Sequence, residues 1–103
     1  ERLRELYAAY TEGSPDFRSG ELVEWKPGLK NRTVPEYRQP AVVIGALDPP
    51  LLGTAESSGS AYFREPITHT LGLLDEEHEL VIYHFDGNRF RRYELEPSEG
   101  RSA

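Results

Sequence analysis

Phe17-Arg18-Ser19-Gly20-Glu21-Leu22-Val23-Glu24-Trp25-Lys26 is the stretch whose reading settles the fold class. An aromatic residue leads into a short turn ending at Gly20. Leu22, Val23 and Trp25 then supply the apolar pattern of a strand. Three more strand-like runs follow, Ala41 to Leu47, Thr70 to Leu74 and Leu80 to Phe85, and a short one lies around Arg89 to Leu95. Five short strands punctuated by turn residues describe a mainly β domain.

Working outward, Leu3, Leu6, Tyr7 and Tyr10 follow the i, i+3, i+4, i+7 spacing of one helical face. Gly13 and Pro15 stand where a helix stops. The spacing predicts a short helix over 2–11, within an N-terminal segment 1–14. So short a helix is marginal alone, and it is expected to dock, either on the strands or on a partner.

The strands are expected near 21–26, 41–47, 69–75, 79–85 and 89–95, within a domain spanning 15–96. Long loops are read over 27–40 and 48–68, and a flexible tail over 97–103. The run from Ala41 to Leu47 reads as a central strand buried on both sides, with Gly45 as a bulge or bend. Asp48-Pro49-Pro50 is expected to end it, because proline donates nothing to a ladder. Asp75 to Glu79 reads as the acidic turn of a hairpin. Both faces of the run from Leu80 to Phe85 are largely apolar, so one is expected to face the interior and the other the helix. Asp86-Gly87-Asn88 reads as a tight turn before the last strand.

This order of elements resembles a five-stranded antiparallel SH3-like barrel with a short N-terminal α-helix. More narrowly, Phe17-x-x-Gly20-Glu21-x-Val23, then Asn31-Arg32-Thr33-Val34-Pro35-Glu36-Tyr37-Arg38, then Ala41-Val42-Val43 resembles the barrel of the nitrile hydratase β-subunit family. That family has an Arg-x-Pro-x-Tyr loop at this place. Here one extra residue separates Arg32 from Pro35. The resemblance implies a metal-free accessory subunit supporting a separate catalytic subunit with a Cys-ligated iron or cobalt. Its contact surface would be the loop holding Arg32, Pro35 and Tyr37.

Composition sets further bounds. A chain of 103 residues with no Cys is one domain without disulfides or thiolate metal sites. The longest apolar run is far short of the roughly 20 residues that span a bilayer, and no secretory signal pattern opens the chain. The expected location is cytoplasmic. A net charge of −6 opposes general nucleic-acid binding, which needs a basic footprint. Cations nevertheless gather at Lys26, Lys30, Arg32 and Arg38, and again at Arg89, Arg91 and Arg92.

No catalytic constellation emerges, and the chain is read as no enzyme, with no cofactor and no metal. His69, His78 and His84 lack matched ligand spacing, although His84 and Asp86 share one side of an extended chain, about 7 Å apart. Ser57, Ser58 and Ser60 lie in no nucleophile elbow, and no glycine-rich phosphate loop precedes a helix. The candidate site is instead a partner-binding surface of loop aromatics and cations: Trp25, Lys26, Arg32, Tyr37, Arg38, Tyr62, Phe63 and Arg64. Loops on a rigid scaffold carry recognition, and Trp, Tyr and Arg dominate binding hot spots. For Trp25 and Phe63 the alternative is that they plug the ends of the barrel. The leading expectation is a non-catalytic protein-interaction or accessory module. A KOW-like module for single-stranded nucleic acid stands second, on aromatics beside cations. The supporting subunit of a metalloenzyme stands third.

Overall fold

The computed structural model describes residues 1–13, 15–52 and 66–94. In chain order they form α1 (Arg2–Thr11), β1 (Leu22–Trp25), β2 (Ala41–Leu52), β3 (Pro66–Leu74), β4 (Leu80–Phe85), a 3₁₀ turn (Gly87–Arg89) and β5 (Phe90–Arg92). All five strands belong to one antiparallel sheet in the order β4-β3-β2-β1-β5. The sheet is unclosed, since no ladder among the described residues joins β4 to β5. The architecture is therefore mainly β, one sheet with one short helix. No helix among the described residues is long and apolar enough to cross a membrane.

The core lies on the inner face. Val23 and Trp25 of β1, Ala41 and Val43 of β2, Leu71 and Leu73 of β3, Phe85 and Phe90 form one buried cluster. Trp25 stacks on Phe90 with centroids 4.3 Å apart and meets Phe85 edge-on at 5.7 Å. Each such side chain withdrawn from water contributes about 1.5–3 kcal/mol. The indole N–H of Trp25 donates to the Pro35 carbonyl at 2.6 Å, so the 27–40 loop is tied down through the core.

Several sequence expectations need correction. β2 does not end at Asp48-Pro49-Pro50 but runs to Leu52, and β3 begins at Pro66 rather than near 69. The prolines are accommodated by a break in register. Ala46 faces His69, the next pair is Leu51 with Ile67, and no ladder partner is required of 47–50. The expected 48–68 loop is shortened accordingly, and 53–65 lies outside the described residues. So do the tail 97–103 and the end of the last expected strand. β2 is central but not buried on both sides, because Ile44 is exposed. Asp86-Gly87-Asn88 is a 3₁₀ turn, not a two-residue hairpin turn: the Asp86 carboxylate accepts from the Asn88 amide at 3.0 Å and caps it.

The helix spans the residues its spacing predicts, but only half of its apolar stripe docks. Glu1 caps it by accepting from the Arg4 amide at 3.1 Å. Leu6 rests over Gly28 and Tyr10 reaches Asp86, while Leu3 and Tyr7 stay exposed. Gly28 has φ +82°, and a Cβ there would stand 2.5 Å from Leu6 Cδ2. Both its backbone and its neighbour demand glycine. The helix therefore covers the β1 end of the molecule and leaves the outer face of β4 open, contrary to the expectation that it shields that strand. Leu80 and Ile82 are 59% and 53% exposed.

Candidate functional site

A cleft of about 440 Å³ opens between the N-terminus of α1, the 27–40 loop and the β1–β5 side of the sheet. Its walls are Arg2, Arg38 and Arg91 with Tyr37, and Trp25 and Gly28 lie beneath them. The register explains how β1 and β5 contribute: Glu24 pairs with Arg91 across the ladder, on the face opposite Val23 and Trp25. Arg91 Nε donates to the buried Glu24 carboxylate at 3.2 Å. Such an ion pair holds the guanidinium over the cleft instead of letting it sweep through solvent. Arg2 lies 3.6 Å from Glu5 along the exposed helix. Three guanidinium groups against the single carboxylate of Glu24 make the lining cationic.

Tyr37 is the aromatic surface of this site, 48% exposed. Its hydroxyl accepts from the Lys30 amide at 3.3 Å, and the Lys30 ammonium lies 5.9 Å from its ring centroid. Two loop anchors, this bond and the Trp25–Pro35 bond, hold the ring in place. Arg38 follows at φ +70°, in the left-handed region that side chains other than glycine seldom adopt.

The residues expected to form one surface separate. Tyr37 and Arg38 meet at the cleft. Trp25 is 1% exposed and serves as core, so it presents no face to a partner; its stacking on Phe90 and its bond to Pro35 use both its ring and its N–H. Lys26 turns away from the cleft. Its ammonium donates to the carbonyls of Ala9 and Glu12 at the C-terminus of α1, where a cation offsets the unpaired carbonyls. Burial there pushes its pKa down, against the opposing charges of Glu12 and Asp86. Arg32 is half-buried in the loop and does not line the cleft. Tyr62, Phe63 and Arg64 lie outside the described residues. Arg2 and Arg91 were missed. Arg91 had a signal, since it belongs to a basic run on a strand; Arg2 had none, because only docking of the helix brings it here.

A second feature also escaped the sequence reading. Asp86, 2% exposed, accepts from the Tyr10 hydroxyl at 2.7 Å, caps the 3₁₀ turn and lies 3.9 Å from Arg89 Nε. Arg89 stacks on Tyr10 with 5.3 Å to the ring centroid and donates to the Leu29 carbonyl at 3.0 Å. Burial, together with the hydrogen bond to Asp86, raises the Tyr10 pKa to about 12. Nearby, His69 is buried against Phe17, with Nδ1 2.7 Å from Thr68 Oγ1, which accepts from the Gly87 amide. Loss of water lowers the His69 pKa and outweighs the Pro15 carbonyl and the Asp86 charge, which favour the protonated ring. Its Nε2 makes no hydrogen bond of adequate geometry among the described residues. The cluster joins α1, β3 and the 3₁₀ turn and acts as a clasp. Apart from His69 Nε2 and Arg89 Nε, which make no hydrogen bond among the described residues, its side-chain polar groups bond to the protein's own backbone or side chains.

Carboxylates approach one another at Asp75, Glu77 and Glu79, whose ligand atoms lie within 4.8 Å. There Asp75 Oδ1 accepts the Glu77 and Glu79 amides at 2.8 and 2.9 Å, which shapes the hairpin turn. His84 contacts Thr70 Oγ1 at 3.0 Å, whereas Asp86 is taken up by the clasp, so the two do not act as a pair. Comparison with family models, with curated proteins and with solved structures finds no match to this chain.

Proposed function

We propose that this chain is a non-catalytic protein-interaction module that holds an acidic segment of a partner in the Arg2–Arg38–Arg91 cleft. The observation that supports it is the cleft itself: three arginines around a half-exposed tyrosine, with one carboxylate already engaged. Guanidinium groups grip carboxylates through paired, charge-assisted hydrogen bonds, and an anchored Tyr offers contact area at small entropic cost. A partly open SH3-like barrel is the architecture we assign to the module. The meander from β1 to β4, with β5 returning to pair with β1, supports that assignment. The 27–40 loop then lies where such barrels place recognition surface. An accessory role beside a separate catalytic subunit, as the nitrile hydratase resemblance implies, would use the same loop.

A KOW-like reading draws on one observation, Tyr37 set between Lys30 and Arg38, where a base would stack beside cations. It ranks second because the net charge of −6 repels a polyanion. The test is capture from native lysate with the wild-type chain and a Tyr37→Ala/Arg38→Glu double variant whose fold is checked by circular dichroism. Partners that the variant loses and nuclease treatment leaves support the proposal. Identical partner sets from both chains overturn it, and nuclease-sensitive capture transfers the site to the nucleic-acid reading.

A further inference from the structure

The arginine cleft does not end at Arg91. A second hollow of about 380 Å³ lies beyond it, and Pro27 and Arg91 line both. Arg2, at the start of α1, borders the first hollow, and Ala9 and Glu12, at its end, border the second. The two hollows therefore form one trough alongside the helix. A helix rises about 1.5 Å per residue, so Arg2 and Glu12 stand about 15 Å apart.

The ends of the trough differ in charge. Arg2, Arg38 and Arg91 border the first hollow. Arg91 gives its Nε–H to Glu24, one of the five donors a guanidinium carries. Arg2 meets Glu5 at 3.6 Å in an exposed pair, of a kind that contributes little in water. In the second hollow the cations are engaged by the chain itself. Lys26 donates to the carbonyls of Ala9 and Glu12, and Arg92 is paired with Glu21 and Asp16. The lining there adds two acidic residues, Glu12 and Glu94, both exposed.

We propose that the segment held in the trough is extended and bipolar, with an acidic residue at the arginine end and a basic residue beside Glu12 and Glu94. An extended chain advances about 3.3 Å per residue, so about 15 Å sets the two charges four or five positions apart. The inference rests on the reading of the cleft as a site for an acidic segment, and adds a length and a second determinant. A uniformly acidic segment would set a like charge against Glu12 and Glu94. So would a nucleic-acid strand, which carries a phosphate at every step.

Fluorescence anisotropy with labelled, end-capped peptides at low salt tests the proposal. The probes are Glu-Glu-Ala-Ser-Ala-Lys-Lys, the same residues reordered as Glu-Glu-Lys-Lys-Ala-Ser-Ala, and the acidic Glu-Glu-Ala-Ser-Ala-Ala-Ala. The first should bind the wild-type chain about five- to tenfold more tightly than either of the others, as two modest ion pairs allow. Glu12→Gln/Glu94→Gln removes both charges at nearly constant size. In that variant the first peptide should fall to the level of the acidic one, whose own affinity should not fall. Equal binding of the first two peptides, or a preference that survives the double substitution, overturns the bipolar assignment. If the acidic peptide still binds, the cleft keeps its proposed function; if no peptide binds, both readings fall. Should the variant not fold, the comparison of peptides on the wild-type chain decides alone.

Discussion

The two edges of this one sheet are finished in opposite ways. β5 is three residues long and carries Arg91 and Arg92. Arg91 reaches Glu24, and Arg92 donates to Glu21 at 2.8 Å and lies 3.4 Å from Asp16. The Tyr93 amide returns to the Leu22 carbonyl at 2.9 Å, and α1 is clasped to the same side through Tyr10 and Lys26. β4 is six residues long, carries no Asp, Glu, Lys or Arg, and has no strand on its outer edge among the described residues. A short charged edge resists foreign strands, and a long apolar one invites them. The difference teaches that one short, ion-paired edge and one longer, apolar edge can bound the same sheet, with the core aromatics Trp25, Phe85 and Phe90 drawn from strands on both sides.

The largest effect expected from that contrast is at Trp25. Trp25→Ala should cost about 3–5 kcal/mol in urea unfolding, because it empties the stack on Phe90 and orphans the Pro35 carbonyl. Ile82→Ala, on the exposed outer face, should cost less than about 1 kcal/mol. Similar losses at both sites would break the comparison.

Next comes the helix clasp. Gly28→Val should destabilise by about 1–3 kcal/mol and reduce helical ellipticity, since the new side chain displaces Leu6 from its seat. Unchanged ellipticity would mean that α1 does not need this contact. Arg91→Ala should follow at about 1–3 kcal/mol, the usual cost of leaving a buried polar group unpaired; Glu24→Gln in the same chain should recover part of it. No recovery would show that Arg91 acts through packing alone.

The smallest effect is a pH dependence. Burial holds the His69 pKa below its ordinary value, so the folded state favours the neutral ring. The stability it contributes is present above the unfolded value of about 6.5 and is lost as pH falls through the lower folded value. Urea midpoints should therefore decline on acidification from about pH 7 toward about pH 5, and His69→Gln should flatten that decline. The Glu21 carboxyl, lowered by its bonds to Arg92 and the Arg18 amide, loses its contribution only further into acid. An unaltered slope in His69→Gln would remove His69 as its source.

Much of the fold was legible because short-range patterns carry it. The i, i+3, i+4 spacing from Leu3 to Tyr10 placed the helix, and the short apolar runs holding Val23, Val43, Leu71 and Phe85, bounded by turn residues, placed the strands. The candidate site was legible only in part. Tyr37 and Arg38, which line the cleft, could be singled out beforehand because aromatic and basic loop residues announce themselves by type. Trp25 misled, since a Trp at a strand end reads alike whether it faces a partner or a core. Arg2 lies 36 residues from Arg38 in sequence, and local pattern carries no information on such pairs.

By itself the sequence determined the class of the domain: mainly β, one short helix, no cysteine chemistry, and a negative net charge with cations set apart. Periodicity and residue type depend on neighbours a few positions away, so they survive in a linear reading. Tertiary structure alone decided the rest. It carried β2 through its prolines, because a register break spared them any ladder bond. It sent the helix to the β1 side, where Leu6 meets the hydrogen of Gly28 and Tyr10 meets Asp86 across 76 positions. It thereby left the outer face of β4 without cover from the helix, since one ten-residue helix cannot cover both ends of a five-stranded sheet.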